Sequence, residues 1–184
     1  MIQLPPRPLP ERMPPLETAE MTAEQRAVVE ELVGGPRGKL QGPFFPMMRS
    51  PGFMRRAQKV GEFIRYESVL PDDLREIAIL VTAVHWSQPV EWFIHAPITV
   101  AAGVPEEALE QIAHGQPVTA VGDTAQAVVE FCRTLHTEQD VPDDLYDRVR
   151  AALGEEALID LVGLCGYYAT LAMIMNVART TLRD

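Results

Sequence analysis

The sequence predicts an all-α fold, and three observations carry that reading. Apolar residues recur at three- and four-residue spacing, with no sustained alternation of the kind a half-buried strand shows. Helix starts recur as well. Thr22, Ser50-Pro51, Pro71-Asp72-Asp73, Pro89, Pro105 and Pro142-Asp143-Asp144 each put a capping residue, a first-turn proline or first-turn acids ahead of an apolar stretch. Glycines stand where the stretches stop, at Gly34-Gly35, Gly103 and Gly154.

Residues 1–20 are proline-rich and lack periodic apolar positions. They are expected to form an extended arm lying across the body or a neighbouring subunit, with residues 21–184 as one helical domain. Thr22 caps a helix to about Val33. Residues 35–49 form a loop whose Gly42-Pro43-Phe44-Phe45-Pro46-Met47-Met48 carries enough apolar bulk to serve as a pocket wall. Ser50-Pro51 opens a helix to about Ser68, with Phe53, Val60 and Ile64 on one stripe and Arg55, Arg56, Lys59 and Arg65 on the polar side. The next helix runs from Asp72 to Trp86. Between Ile77 and Val84 only Thr82 is polar, so it should be buried nearly all round. That run alone would also suit a buried strand; its length and helix start decide for helix. After a break at Ser87-Gln88-Pro89, a further helix stops at Gly103. Short helices follow from Pro105 to about His114, from a cap at Asp123 to about Thr137, and from Pro142 to Gly154. A long apolar helix closes the chain from about Glu155 to Leu182. The strings Leu70-Pro71-Asp72-Asp73-Leu74 and Val141-Pro142-Asp143-Asp144-Leu145 echo each other. They read either as a degenerate internal duplication or as one good helix start used twice.

Composition narrows the functional classes. A chain of 184 residues, 47% apolar and 23% charged, suits one globular domain. A net charge of −10 argues against nucleic-acid binding, while one local positive group would suffice for a small anion. No run reads as a membrane span, and the first residues lack the pattern of a secretory signal, so a cytoplasmic location and no membrane partner are expected. Cys132 and Cys165 each lie in apolar helical stretches and are expected to be inert core thiols; contact between them across helices is left open.

The stretch from Leu70 to Val104 holds Glu76, Glu91 and His95, the ionisable groups set inside long apolar runs. Glu91 and His95 are four residues apart on one helical face. They are expected to share a proton across a turn, with Glu76 orienting or relaying, which makes the three a candidate reaction centre. The bland alternative is a structural buried pair. A metal site is the third use of such spacing, and His85 lies too far along its helix from Glu76 to complete one; no metal is expected. His114 and His136 are expected to be solvated. Pro97 cannot donate to the Phe93 carbonyl, leaving that oxygen for a ligand or water. Arg49, Arg55 or Arg75 are the arginines expected to meet a substrate carboxylate.

The combination Arg75-Glu76-Ile77-Ala78-Ile79-Leu80, then Glu91-Trp92-Phe93-Ile94-His95 and Ala101-Ala102-Gly103-Val104, resembles the carboxymuconolactone decarboxylase family, in the superfamily of alkyl hydroperoxidase D. The resemblance runs from about Gly42 to Ile112, and more weakly through Gly166-Tyr167-Tyr168. It implies a helical protomer in homo-oligomers, trimers or hexamers. The peroxidase branch carries Cys-x-x-Cys-x-x-x-His; here its glutamate and histidine fall at Glu76 and His95, and its cysteines at Gln88 and Glu91. With no thiol at those positions, the resemblance favours the decarboxylase branch, which places a glutamate at Glu91 and needs no cofactor. The expectation is thus a cofactor-free lyase of the kind used in aromatic catabolism, acting on a small carboxylated compound by decarboxylation, or by lactone hydrolysis or isomerisation. The alternatives are an alkyl hydroperoxidase D-like antioxidant with peroxiredoxin activity and a non-catalytic helical binding protein.

Overall fold

The structure is a computed structural model, and it describes residues 2–6 and 9–183. The order of helices is α1 (Ala23–Val33), α2 (Phe44–Met47), α3 (Pro51–Tyr66), α4 (Asp72–His85), α5 (Pro89–Ala101), α6 (Glu106–Ala113), α7 (Asp123–Glu138) and α8 (Asp143–Ala178), with a short 3-10 turn at Thr18–Glu20 ahead of them. No strand occurs among the described residues.

The layout follows from burial. Every residue of α4 from Glu76 to Ala83 is buried, and α5, α7 and α8 pack around this helix. Each fully buried leucine or isoleucine there contributes about 1.5–3 kcal/mol of transfer free energy. The chain turns from α4 into α5 through Ser87, a non-glycine residue at φ 49°, a backbone conformation that must be held by its surroundings. The hold is visible. The Gln88 side chain accepts from Val90 N at 2.8 Å and donates to Asn176 Oδ1 at 2.8 Å, while Asn176 Nδ2 donates to the Trp86 carbonyl at 2.9 Å. The α4–α5 corner is therefore bolted to α8. At the other end of α4, Ser68 Oγ donates to Asp160 Oδ2 at 2.6 Å and accepts from Leu70 N at 3.1 Å.

Local chemistry explains the ends. Thr22 and Gln25 form a reciprocal capping box at α1, at 3.2 and 2.8 Å. The cap of α7 is Gly122 rather than Asp123; Asp123 instead sits in the first turn, where its charge suits the positive helix end. Gly154, at φ +82° and ψ 169°, breaks α8 where the sequence places a stop, so α8 is two helical stretches joined at a kink. The helix ends at Ala178, four residues before the expected Leu182, because Arg179 turns left-handed at φ 55° and Thr180 N returns to the Met175 carbonyl at 3.0 Å.

The N-terminal arm lies across its own body. Trp92 Nε1 donates to the Ile2 carbonyl at 2.8 Å, Arg49 Nη2 to the Pro14 carbonyl at 2.7 Å, and Arg12 N to the Ala178 carbonyl at 2.8 Å. One membrane expectation needs correcting. By length and composition alone, α8 would qualify as a span; 56% of its apolar window is buried within the fold, as in a core helix.

Candidate active site

Glu76 on α4 and His95 on α5 meet directly, with His95 Nδ1 2.6 Å from Glu76 Oε2. Both are buried, at 1% and 4% exposure. Burial alone would raise the Glu76 carboxyl. The hydrogen bond and charge of His95 and the charges of Arg65 and Arg75 outweigh it, holding Glu76 below the ordinary carboxylate range. An ionised Glu76 can only accept, so His95 Nδ1 carries the proton and Nε2 is the nitrogen left to exchange one with a ligand.

Glu91 does not join this pair. Its position one turn before His95 is as expected, but the imidazole turns toward α4, where Glu76 provides an ionised partner. The expected Glu91–His95 proton sharing is corrected to a Glu76–His95 dyad with Glu91 standing apart. Glu91 is 2% exposed and its Oε2 has no hydrogen-bond partner among the described residues. Burial pushes its carboxyl well above the ordinary value, which favours the protonated form.

Around these groups lies a chamber of about 30 Å³, lined by Glu91, His95, Arg37, Arg65, Tyr167 and Tyr168 among others. It shares Arg37, Gln41, Arg65 and Ile94 with an open cleft of about 730 Å³. The chamber holds about one water-sized group, enough for the head of a ligand whose body stays in the cleft. Cleft and chamber differ sharply in charge from the chain as a whole. The net charge is −10, yet the cleft is lined by Arg37, Lys39, Arg65 and Arg183 and by no acid among the described residues.

The chamber is rich in donors. Burial raises the Tyr168 phenol well above its ordinary value and pushes Tyr167 up to about 12, so both keep their protons. Tyr168 stands edge-on to the His95 ring, with centroids 5.3 Å apart at 87°. Arg37 Nε and Nη2 and the Tyr167 hydroxyl are buried without hydrogen-bond partners among the described residues, and Arg37 stacks over Phe44 at 4.9 Å. Buried donors left open in this way are costly unless something accepts from them.

The arginines singled out by sequence are occupied elsewhere. Arg49 serves the Pro14 and Phe45 carbonyls, Arg55 pairs with Glu31 at 2.8 Å, and Arg75 pairs with Asp72 at 2.9 Å while lying 3.6 Å from Glu76. Arg37 and Arg65 are the arginines that line the chamber. One sequence signal could have pointed to Arg37, namely a glycine at position 61 in the middle of α3, where alanine would favour the helix by about 1 kcal/mol. A Cβ there would collide with the Tyr167 hydroxyl and Arg37 Nη2. The missing side chain is what lets both reach the chamber.

Gln88 and Glu91 occupy the positions where the peroxidase branch was expected to carry thiols. Gln88 is spent on the α4–α5 corner, and no sulfur is among the chamber's lining residues. The expected pocket wall from 35–49 is present: Gln41, Pro43 and Phe44 line the chamber.

No family model and no curated protein matches the chain. A solved structure does, described as an alkylhydroperoxidase AhpD core, an uncharacterized peroxidase-related protein from Ralstonia eutropha JMP134. It superposes with a TM-score of 0.78 at 15% identity, covering 95% of this chain and 93% of that one. At that identity the likeness shows the fold, and the chain has the all-α alkyl hydroperoxidase D-like architecture that the sequence leads one to expect.

Proposed function

We propose that this alkyl hydroperoxidase D-like fold carries a cofactor-free acid–base site for a small carboxylated compound, with decarboxylation as its leading reaction. The observation that supports the reading is the donor excess of the chamber. Two guanidinium groups, two protonated phenols and a carboxyl whose protonated form burial favours line the chamber with His95, which Glu76 holds from behind. Such a chamber fits an anion.

In this reading Arg37 and Arg65 hold a carboxylate that does not react, because a guanidinium on a leaving carboxylate would resist its departure. The reacting carboxylate loses its C–C bond. The electron pair moves toward a neighbouring carbonyl, carbon dioxide leaves, and the enolate carbon takes a proton from Glu91. His95, acting as an imidazolium paired with Glu76, donates Nε2–H to the carbonyl oxygen as charge develops there, and Glu76 holds Nδ1–H in place. Glu91 recovers its proton from solvent through the cleft. Lactone hydrolysis or isomerisation would use the same groups. A binding protein without turnover would keep the arginines and not need the dyad. Turnover of carboxylated lactones and β-keto acids tests the proposal. Arg37→Met should raise KM about 10- to 100-fold, the loss of one charge-assisted contact. An unchanged KM would remove Arg37 from the site.

Self-association is part of the same proposal. Ile159, Val162, Met173 and Val177 form an outward apolar stripe on α8, 39–66% exposed, with the exposed Gly163 and Gly166 in the same row. A second copy would bury that stripe in a trimer or hexamer. Sedimentation at micromolar concentration should show a species heavier than 20.4 kDa; a monomer alone would refute it.

A further inference from the structure

Cys132 on α7 and Cys165 on α8 are 33 residues apart in sequence, yet their sulfurs lie 3.6 Å apart in the core. They are free thiols, at 0% and 1% exposure. Their surroundings are not apolar throughout. His136 and the Thr82 hydroxyl stand against Cys165. Thr82 Oγ1 donates to the Ala78 carbonyl at 2.9 Å and lies 2.9 Å from His136 Nε2. With its own proton spent on Ala78, Thr82 can only accept from His136, so Nε2 carries a proton. The His136 ring stacks on His85, with centroids 4.8 Å apart at 15°. His85 in turn lines a cavity of about 100 Å³ with Val81, Arg133 and Thr137. His136 is half-buried, not solvated as its sequence context suggests. The thiol pair thus has a half-buried imidazole beside it, stacked on the exposed His85.

We propose that Cys132 and Cys165 form a reversible dithiol–disulfide site, oxidised by small hydroperoxides, in which Cys165 attacks, Cys132 resolves and His136 carries the proton. The assignment of roles follows from the contacts. Cys165 meets Cys132 and His136, whose hydrogen bonds and charge hold it below the ordinary thiol value against burial. Cys132 is raised by the same sulfur contact and by burial. In this proposal Cys165 is reactive, where the sequence context leads one to expect two inert thiols. This site is independent of the Glu76–His95 chamber and stands or falls without it.

The chemistry balances as follows. Cys165 passes its proton to His136; the thiolate attacks the hydroperoxide, an S–O bond forms, the O–O bond breaks, and the departing alkoxide takes that proton from His136. The Cys132 sulfur then attacks the sulfenic acid. An S–S bond forms, the S–O bond breaks, and the hydroxide leaves with the Cys132 proton as water. The sulfurs must close from 3.6 Å to about 2.0 Å. An external dithiol reverses the reaction by two exchanges.

Peptide mapping of the native full chain after exposure to hydrogen peroxide, with free thiols alkylated under denaturing conditions, tests the proposal. A Cys132–Cys165 linked peptide should appear, and dithiothreitol should restore both thiols. In Cys132→Ser, Cys165 should be trapped as a sulfenic acid by dimedone; in Cys165→Ser, Cys132 should survive the same dose. His136→Gln should slow disulfide formation at least about tenfold. Two alkylatable thiols after peroxide treatment of the wild type would overturn the site. An unchanged rate in His136→Gln would overturn the role of the imidazole.

Discussion

Replacing Glu91 with glutamine is expected to make the protein more stable at pH 8 while changing little near pH 4. Burial raises the Glu91 carboxyl well above its ordinary value in the folded state. Between the unfolded and folded values, the native state binds one proton more than the unfolded state at this position. Stability therefore falls as pH rises through that window, by about 1.4 kcal/mol per pH unit. The penalty is absent below the unfolded value and is complete only above the folded one. Glutamine has nearly the same shape and no proton to lose, so the variant lacks this slope. Urea unfolding of both proteins from pH 4 to pH 8 measures the difference. Parallel curves would mean that Glu91 titrates normally and holds no proton for catalysis.

Glu76→Ala is expected to cost about 3–5 kcal/mol at pH 7, because it leaves the partner in a buried ion pair without its counter-charge. The pH dependence has the opposite sign to that of Glu91. The folded value of Glu76 lies below the unfolded one, so its contribution is present above the unfolded value and is lost as pH falls through the folded value. Wild type should therefore lose more stability on acidification than Glu76→Ala does. A cost under about 1 kcal/mol, the scale of a solvent-exposed pair, would contradict the buried dyad.

How far the sequence carried the structure depended on the kind of interaction. Helix starts and stops are local, and Thr22, Pro71, Gly103 and Gly154 mark them without reference to the rest of the chain. The burial of Glu76, Glu91 and His95 was also legible, since each sits inside an unbroken apolar run. Their pairing was not. Spacing on one helix puts Glu91 beside His95, but the imidazole turns toward α4, and only the α4–α5 packing brings Glu76 within 2.6 Å. Arg37 escaped because it lies in a loop with no periodicity, and its place depends on space left by Gly61 on another helix. The sulfur contact was hidden for the same reason, since Cys132 and Cys165 come together only when α7 packs on α8.

The central claim is that the chamber performs acid–base chemistry on a carboxylated compound. Turnover by wild type, Glu91→Gln and His95→Gln across a panel of carboxylated lactones and β-keto acids, followed by carbon dioxide release and loss of lactone absorbance, tests it most directly. The account predicts measurable turnover by wild type on at least one compound. Both variants, with folding verified by circular dichroism, should lose at least about 100-fold in kcat, the usual worth of a positioned proton donor. A folded Glu91→Gln or His95→Gln protein that keeps wild-type kcat would contradict the account, as would no turnover of any compound that binds.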